Sequence, residues 1–99
     1  MSSPDGVQRL TLPTRLVLTA LLREPSGELC GWDLAEATDL HSGTVYTILK
    51  RLREYGWLAW RWEERDPEAE GKPLRRYVWL TEHGVSQAKE ALDRRRSRR

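Results

Sequence analysis

Cysteine, phenylalanine and long apolar runs are scarce or absent in this chain of 99 residues. Cys30 is the one cysteine, so an internal disulfide is excluded, and we predict a protein of the reducing cytoplasm. No apolar run approaches the roughly 20 residues of a membrane-spanning helix, and no secretory signal opens the chain, so we expect no membrane partner. The length allows one domain with a small core, which a second copy often completes.

The motifs of catalysis and of metal binding are absent as well. The sequence contains no phosphate-binding glycine loop, no nucleophile elbow and no pair of catalytic carboxylates. His41, His83 and Cys30 stand at spacings that match no common zinc signature, and each is better interpreted as a loop or capping residue. We therefore expect neither an enzyme nor a metal or cofactor site.

The net charge is only +2, but the charges are unevenly distributed. Residues 41–53 contain three bases and no acid, residues 63–70 contain five acids and one base, and five arginines lie within residues 94–99. Clustered cations matter more than total charge for binding a polyanion. The pattern indicates nucleic-acid phosphate as the partner. The arginine tail is interpreted as a solvated cationic end, and a contribution to non-specific DNA affinity at low salt is the alternative.

The stretch from His41 to Leu52 predicts the helix around which the domain is built. Its apolar residues follow the i, i+3, i+4, i+7 spacing of one buried helix face: Val45, Ile48, Leu49 and Leu52. Ser42 is predicted to cap the helix, and Gly43 keeps its start slim enough for another backbone to approach. The opposite face carries hydroxyls and then cations, which is typical of a helix that reads the major groove of DNA. An ordinary amphipathic helix with a solvated polar face is the alternative interpretation.

Two further helices are predicted before this one. Thr11 caps a first helix with Pro13 in its first turn, and the helix is apolar on almost every side. Such a helix needs cover on more than one side, from the domain's own core or from a second subunit, and both remain open. A short helix from about Gly31 to Thr38, with Trp32 and Leu34 in the core, completes a helix-turn-helix.

A β-hairpin and a last helix are predicted to follow. Gly56 ends the long helix in a left-handed conformation, and residues 58–63 then alternate between apolar and polar. Residues 75–80 form a second strand, and Thr81 caps the last helix. The predicted fold is mainly α with a small β-hairpin, a winged helix-turn-helix plus one C-terminal helix. Its predicted parts are a flexible segment at 1–9, the DNA-binding domain at 10–80, a dimerisation helix at 81–95 and a flexible basic tail at 96–99.

Four sequence pieces stand in order and at compatible distances over about residues 10–92. They are Gly31-Trp32-Asp33-Leu34; Ser42-Gly43-Thr44-Val45-Tyr46 with Leu49-Lys50-Arg51-Leu52; Gly56-Trp57-Leu58; and Gly71-Lys72-Pro73 with Arg75-Arg76-Tyr77, Leu80-Thr81 and Gly84. Together they resemble the PadR-like family of winged-helix transcriptional regulators. The resemblance implies a repressor-type DNA-binding protein that acts as a homodimer on an inverted-repeat operator and is released by a small aromatic or drug-like effector.

The resemblance also implies a dimer interface between the first and last helices. In this chain its residues are Leu16, Val17, Leu21, Val85, Ala88 and Leu92. Two features depart from the family pattern. Thr47 stands where relatives often have proline, and the segment after the hairpin is a single helix without an aromatic residue, as in the short subfamily. The second departure argues against an effector pocket built on C-terminal aromatic residues.

The predicted DNA-binding residues come from the long helix and from the hairpin, which would be the wing. They are Ser42, Gly43, Thr44, Tyr46, Thr47, Lys50 and Arg51 in the helix, and Lys72, Arg75 and Arg76 in the wing. Tyr46 has two interpretations, a DNA contact or a ring packed within the domain with its hydroxyl on a phosphate. The nearby acids weaken the case for DNA contact by the wing, because they either pair with its bases in the absence of DNA or form a solvated loop. Contact by the wing is still the favoured interpretation. The tryptophans are interpreted as packing residues that cluster on the hairpin, and stacking of a flat ligand on them is the less favoured use.

A second class of function fits the same sequence, namely a winged-helix protein-interaction module without specific DNA binding. The acidic wing and the small net charge favour it slightly. A third is a small-molecule sensor that captures its ligand at a dimer interface. Binding to DNA weakens steeply with salt, whereas a protein partner held by exposed tryptophans would tolerate salt, so a salt series separates the first two classes.

Overall fold

The computed structural model describes residues 10–64 and 75–97, with side chains up to residue 93. Its elements are α1 (Leu12–Arg23), β1 (Leu29–Cys30), α2 (Gly31–Thr38), α3 (Ser42–Glu54), β2 (Leu58–Trp62), β3 (Arg76–Leu80) and α4 (Glu82–Ser97). The order of helices and the hairpin after α3 are those of a winged helix-turn-helix with one C-terminal helix. The predicted fold class is confirmed. No helix in the described ranges is long and apolar enough to cross a bilayer.

Helix α1 begins as the sequence predicts. The Thr11 side chain accepts a hydrogen bond from the Thr14 backbone N–H at 3.3 Å, and Pro13 lies in the first turn. One side of the helix enters the core through Val17, Leu18 and Leu21. The other side is not covered by the described part of the chain, since Leu12 is 62% and Leu16 is 38% exposed.

Helix α2 follows β1 without a loop. The Asp33 carboxylate accepts a hydrogen bond from the Cys30 backbone N–H at 3.0 Å, which holds the first turn, and Asp39 ends the helix with a left-handed φ of 61°. Leu34 is fully buried as predicted, but the prediction that Trp32 belongs to the core is wrong because its side chain is 65% exposed. Gly31 and Leu34, three residues apart, face the core together, and Trp32 lies about 100° further round the helix.

Helix α3 buries the four apolar residues predicted for its inner face, Val45, Ile48, Leu49 and Leu52. The predicted Ser42 cap is wrong: His41 occupies the N-cap position, Ser42 is the first helical residue, and the His41 side chain makes no capping hydrogen bond. The Gly56 prediction is confirmed, with a φ of 81° just after the helix. This turn leads directly into the fully buried Trp57.

The sheet of the described residues has three antiparallel strands in the order β1-β3-β2, one more than the predicted hairpin. In the hairpin, Trp60 pairs with Val78 and Trp62 pairs with Arg76. Strand β1 adds only two residues and pairs Leu29 with Val78. Two residues carry no periodicity from which a strand can be predicted, so only their pairing with β3 defines them.

The start of α4 is fixed against the turn between α3 and β2. Thr81 caps the helix as predicted, accepting from the Gly84 backbone N–H at 2.9 Å, and its hydroxyl also donates to the Gly56 carbonyl oxygen at 2.9 Å. Gly84 lies so close to Trp57 that a Cβ there would overlap the Trp57 carbonyl oxygen. The helix continues to Ser97, two residues past the predicted boundary at 95, so the predicted tail begins inside it.

Candidate nucleic-acid interface

The outer face of α3 is open to solvent along its whole length. All seven residues predicted on it are exposed, namely Ser42, Gly43, Thr44, Tyr46, Thr47, Lys50 and Arg51. The core holds the opposite face, so the helix is fixed in position while its polar side chains stay accessible. The Thr47 hydroxyl donates to the Gly43 carbonyl oxygen at 3.0 Å, which leaves its oxygen available as an acceptor.

Gly43 stands at the start of this open face. Among the described residues no atom lies within 4 Å of the position that a Cβ on Gly43 would take. The packing of the described domain therefore does not require glycine here. The small residue keeps the first turn of α3 slim toward solvent, as the sequence predicts for close approach of another backbone.

Tyr46 connects α3 to α2. A Cβ on Gly31 would lie 2.7 Å from the Tyr46 Cζ and 2.8 Å from its hydroxyl oxygen, so the ring rests on the glycine at the first turn of α2. The side chain is nevertheless 47% exposed. Tyr46 therefore packs its ring within the domain, which is the second of the two interpretations of this residue, and it stays partly accessible to solvent.

A groove of about 350 Å³ runs between α3 and the hairpin. Its base is apolar and its edge carries three cations; the lining residues are Tyr46, Leu49, Lys50, Arg53, Leu58, Trp60, Arg76 and Val78. We call it the α3–wing groove. Lys50 and Arg76 are predicted DNA-binding residues, whereas the sequence patterns do not assign Arg53 and Trp60 to the site. The sequence gives only a weak indication that Arg53 belongs to the site. Arg53 follows Lys50 by three residues and Tyr46 by two helical turns, so the three lie on the same side of α3.

Trp60 lies close to two of the cations of this groove. The Arg53 guanidinium carbon lies 4.6 Å from the Trp60 ring centroid, and that of Arg76 lies 5.0 Å from it. Trp62 meets Trp60 edge-on, with centroids 5.4 Å apart and planes at 87°. Arg76 also lies 5.8 Å from the Trp62 ring. Two guanidiniums from different elements therefore share one indole, within the range of favourable cation–π contacts.

The opposite face of the hairpin carries a separate aromatic–cation pair. Arg61 lies 4.8 Å from the Tyr77 ring centroid, and the two residues are partners in the strand register. Trp79 also lies on this face, beside Gly27. The tryptophans thus do not form the single cluster predicted on the hairpin, because strand alternation separates Trp79 from Trp60 and Trp62, and Trp57 is buried in the core.

The wing is described in part. Arg75 is exposed and Arg76 is partly buried, whereas Lys72 lies outside the described residues. Glu63 extends the hairpin by one pair: its backbone N–H donates to the Arg75 carbonyl oxygen at 2.8 Å, and its carboxylate accepts from the Arg75 N–H at 2.9 Å. At least one acid of the wing therefore has a structural role.

The six residues predicted for a dimer interface divide into two groups. Val17, Leu21 and Ala88 are at most 1% exposed in the single chain, so they belong to its own core and offer no surface to a second copy. This corrects their assignment. Leu16 is exposed, and Val85 and Leu92 are partly buried against the core, so these three remain candidates.

Comparison with known families decides which family this winged helix belongs to. Residues 32–90, more than half of the chain, match the model of the transcriptional regulator PadR-like family. The chain belongs to this family. The matched span contains α3, the hairpin and most of α2 and α4, and hence the whole α3–wing groove of this PadR-like protein.

Solved structures of other winged-helix regulators have the same fold. The transcriptional regulator PcaV of Streptomyces coelicolor is 29% identical, with a TM-score of 0.62 over 81% of this chain and 51% of PcaV. A MarR family regulator from Neisseria meningitidis is 26% identical, with a TM-score of 0.67 over 93% of this chain and 59% of that one. MepR of Staphylococcus aureus in its DNA complex is 19% identical, with a TM-score of 0.67 over 85% and 63%, and shows the fold alone.

The PadR-like chain spans between 51% and 63% of the length of these three structures. No curated protein sequence matches it significantly. Within residues 10–64 and 75–97, no three His, Cys, Asp or Glu side chains lie together as a metal site.

Proposed function

We propose that this PadR-like protein binds double-stranded DNA in a sequence-specific manner and regulates transcription as a homodimeric repressor at an inverted-repeat operator. The observation that carries the proposal is the arrangement of α3. Its apolar face is locked into the core, while its polar face stays exposed beside a cation-lined groove. A rigid helix with exposed hydroxyls and flanking cations has the form of a major-groove reader.

The residues of α3 divide by chemistry. Ser42, Thr44 and Thr47 present short hydrogen-bonding groups at the N-terminal end, where base edges are read. Lys50 and Arg51 follow and contact phosphates, as do Arg75, Arg76 and Lys72 of the wing. Membership of a family of transcriptional regulators supports this assignment, and so does the shared fold with MepR, whose structure contains DNA.

The homodimer supplies the operator's symmetry. Two copies would present their α3 helices to major-groove half-sites about 34 Å apart. The exposed side of α1, with Leu12 and Leu16, and the partly buried Val85 and Leu92 of α4 provide the contact surface. PcaV is described in complex with its natural ligand, and a small aromatic effector that releases DNA is proposed here by analogy.

The first experiment measures fluorescence anisotropy of labelled DNA from upstream of the gene, against shuffled DNA, across a salt series. We expect tight binding to the upstream DNA with a steep salt slope. Lys50→Ala should weaken binding to both DNAs alike and reduce the salt slope by about 1, because one phosphate contact is lost. Thr47→Val should instead change the preference between sequences.

Lys89→Ala provides the matched control, since it removes the same charge from the exposed side of α4. It should leave the salt slope unchanged. Equal weak binding to both DNAs, or equal effects of Lys50→Ala and Lys89→Ala, would contradict the proposal.

A protein-interaction module is the second candidate, and two exposed tryptophans favour it. Trp32 is 65% and Trp62 is 51% exposed, which is typical of aromatic anchors in protein interfaces. A partner held through these rings would bind equally well at high and low salt and would be lost with Trp32→Ala but not with Lys50→Ala. Capture experiments with these two variants at two salt concentrations separate the two candidates.

A further inference from the structure

We propose, on the basis of the DNA-binding function proposed above, that Trp60 is a positioning residue that holds Arg53 and Arg76 together as a clamp for one backbone phosphate of the DNA. The clamp lies in the α3–wing groove, where the end of α3 meets the hairpin. It adds Arg53 to the phosphate contacts and gives Trp60 a role beyond packing.

The geometry of the two arginines carries this inference. Arg53 comes from the last turn of α3 and Arg76 from the first residue of β3, 23 positions later, yet both guanidinium carbons lie within 5.0 Å of the Trp60 ring centroid. Two guanidiniums this close to one ring repel each other, and the negative charge on the π faces of the indole offsets part of that repulsion. A phosphate bound between them would remove it, because each guanidinium can donate two parallel hydrogen bonds to an oxyanion.

The Trp60 ring packs against buried side chains of the core. Trp62 stands at 87° to Trp60, and the partners of the ring in the groove, Leu49, Leu58 and Val78, are all buried in the core. Trp60 thus packs against both the core and Trp62. A long arginine side chain loses much conformational entropy when it binds a phosphate. Stacking on a packed ring restricts the side chain before binding, so less entropy is lost when the phosphate binds.

The position of the groove fits a phosphate next to the bases that α3 reads. Lys50 lines the same groove and also belongs to the polar face of α3. The opposite face of the hairpin serves as an internal reference, because Arg61 stacks on Tyr77 there within the hairpin itself. If the clamp is the operative feature, the two pairs must differ in their effect on DNA binding.

The first test compares Trp60→Leu with Trp60→Phe in the anisotropy assay. Leucine removes the π face, so we expect about five- to tenfold weaker binding to operator and shuffled DNA alike, with a salt slope lower by about 1. Phenylalanine keeps a ring and should bind within about twofold of the wild type. Tyr77→Leu, on the other face, should leave affinity and slope unchanged.

The second test is a double-mutant cycle. Arg53→Ala and Arg76→Ala should each weaken binding, and together they should lower the salt slope by about 1, because the two arginines share one phosphate. Trp60→Leu should have no further effect once both arginines are replaced. Arg61→Ala removes the same charge from the other face and should leave the slope unchanged. A loss from Trp60→Leu that persists without the two arginines would overturn the clamp, as would equal binding by the leucine and phenylalanine variants.

A third variant keeps the clamp testable even if Trp60→Leu unfolds the domain. Arg53→Lys with Arg76→Lys conserves both charges but not the planar, forked donors, so binding should weaken as in Trp60→Leu. Wild-type affinity in this variant would overturn the clamp. A wild-type protein that binds no DNA would overturn the proposed function itself, whereas wild-type binding with unaffected groove variants would overturn only the clamp.

Discussion

The two faces of the β2–β3 hairpin carry the same kinds of side chain but form different surfaces. On the face toward α3, Trp60 receives two arginines, one of them from the helix. On the opposite face, Arg61 stacks on Tyr77 within the hairpin alone, and Trp79 lies beside Gly27. What distinguishes the two faces is the helix that packs against one of them.

The largest effect on stability is expected at the contact between Gly84 of α4 and the backbone of Trp57, the residue before β2. A backbone shift at this point would displace both faces of the hairpin. In Gly84→Ala the new Cβ would overlap the Trp57 carbonyl oxygen. We expect the free energy of unfolding to fall by about 2–3 kcal/mol, because backbone must move to make room. Urea denaturation followed by tryptophan fluorescence measures it.

Gly43→Ala is the matched control, because the space around Gly43 is open in the described part of the chain. Alanine there should leave stability unchanged or raise it by up to about 1 kcal/mol, since alanine favours helix more than glycine does. Its DNA affinity should nevertheless fall if a DNA backbone approaches the start of α3. Equal destabilisation by the two alanines would contradict the proposed crowding at Gly84.

A smaller effect is expected from replacing one tryptophan on each face. Trp79→Ala should lower the free energy of unfolding by about 2 kcal/mol through lost packing, while the folded protein keeps wild-type DNA affinity. Trp60→Leu should lower stability by about half as much and weaken DNA binding. The comparison between the faces fails if Trp79→Ala impairs DNA binding and Trp60→Leu does not. Urea denaturation and anisotropy on the same samples provide both measurements.

The smallest effect concerns the acid at the end of the hairpin. Glu63→Gln keeps an acceptor for the Arg75 N–H and removes a negative charge beside Arg75 and Arg76, so DNA affinity at low salt should rise about twofold. Glu63→Ala should raise affinity similarly but lower the free energy of unfolding by about 0.5–1 kcal/mol, because the hydrogen bond is lost. If Glu63→Gln weakens DNA binding in the anisotropy assay, the acid is not merely structural.

Local patterns predict most of the elements in this domain. The i, i+3, i+4, i+7 spacing identifies the buried face of α3, and the caps at Thr11 and Thr81 stand where hydroxyl residues precede a helical pattern. Gly56 is predictable for the same kind of reason, since only a few residues tolerate its positive φ. Such features depend on neighbours within one or two turns, and these neighbours are visible in the sequence.

Long-range contacts account for the predictions that are wrong. Trp32 is exposed because the eight-residue helix α2 turns only one narrow face inward. The Ser42 prediction is the exception and is wrong for a local reason, since Ser42 is the first helical residue and His41 takes the N-cap position. Val17, Leu21 and Ala88 are predicted as dimer residues, but the core of a single chain buries them. An apolar position alone does not reveal whether its cover is intramolecular.

Short-range spacing and linear motifs are enough to specify the helices, the hairpin, the polar face of α3 and membership of the PadR-like family. The pairing of cations with aromatic rings has a different origin, in the packing of segments that are distant along the chain. Arg53 and Arg76 share Trp60 because the strand register sets Trp60 opposite Val78 and because α3 packs its Leu49 side onto that face. No local pattern encodes either condition, since each depends on contacts between residues of different elements.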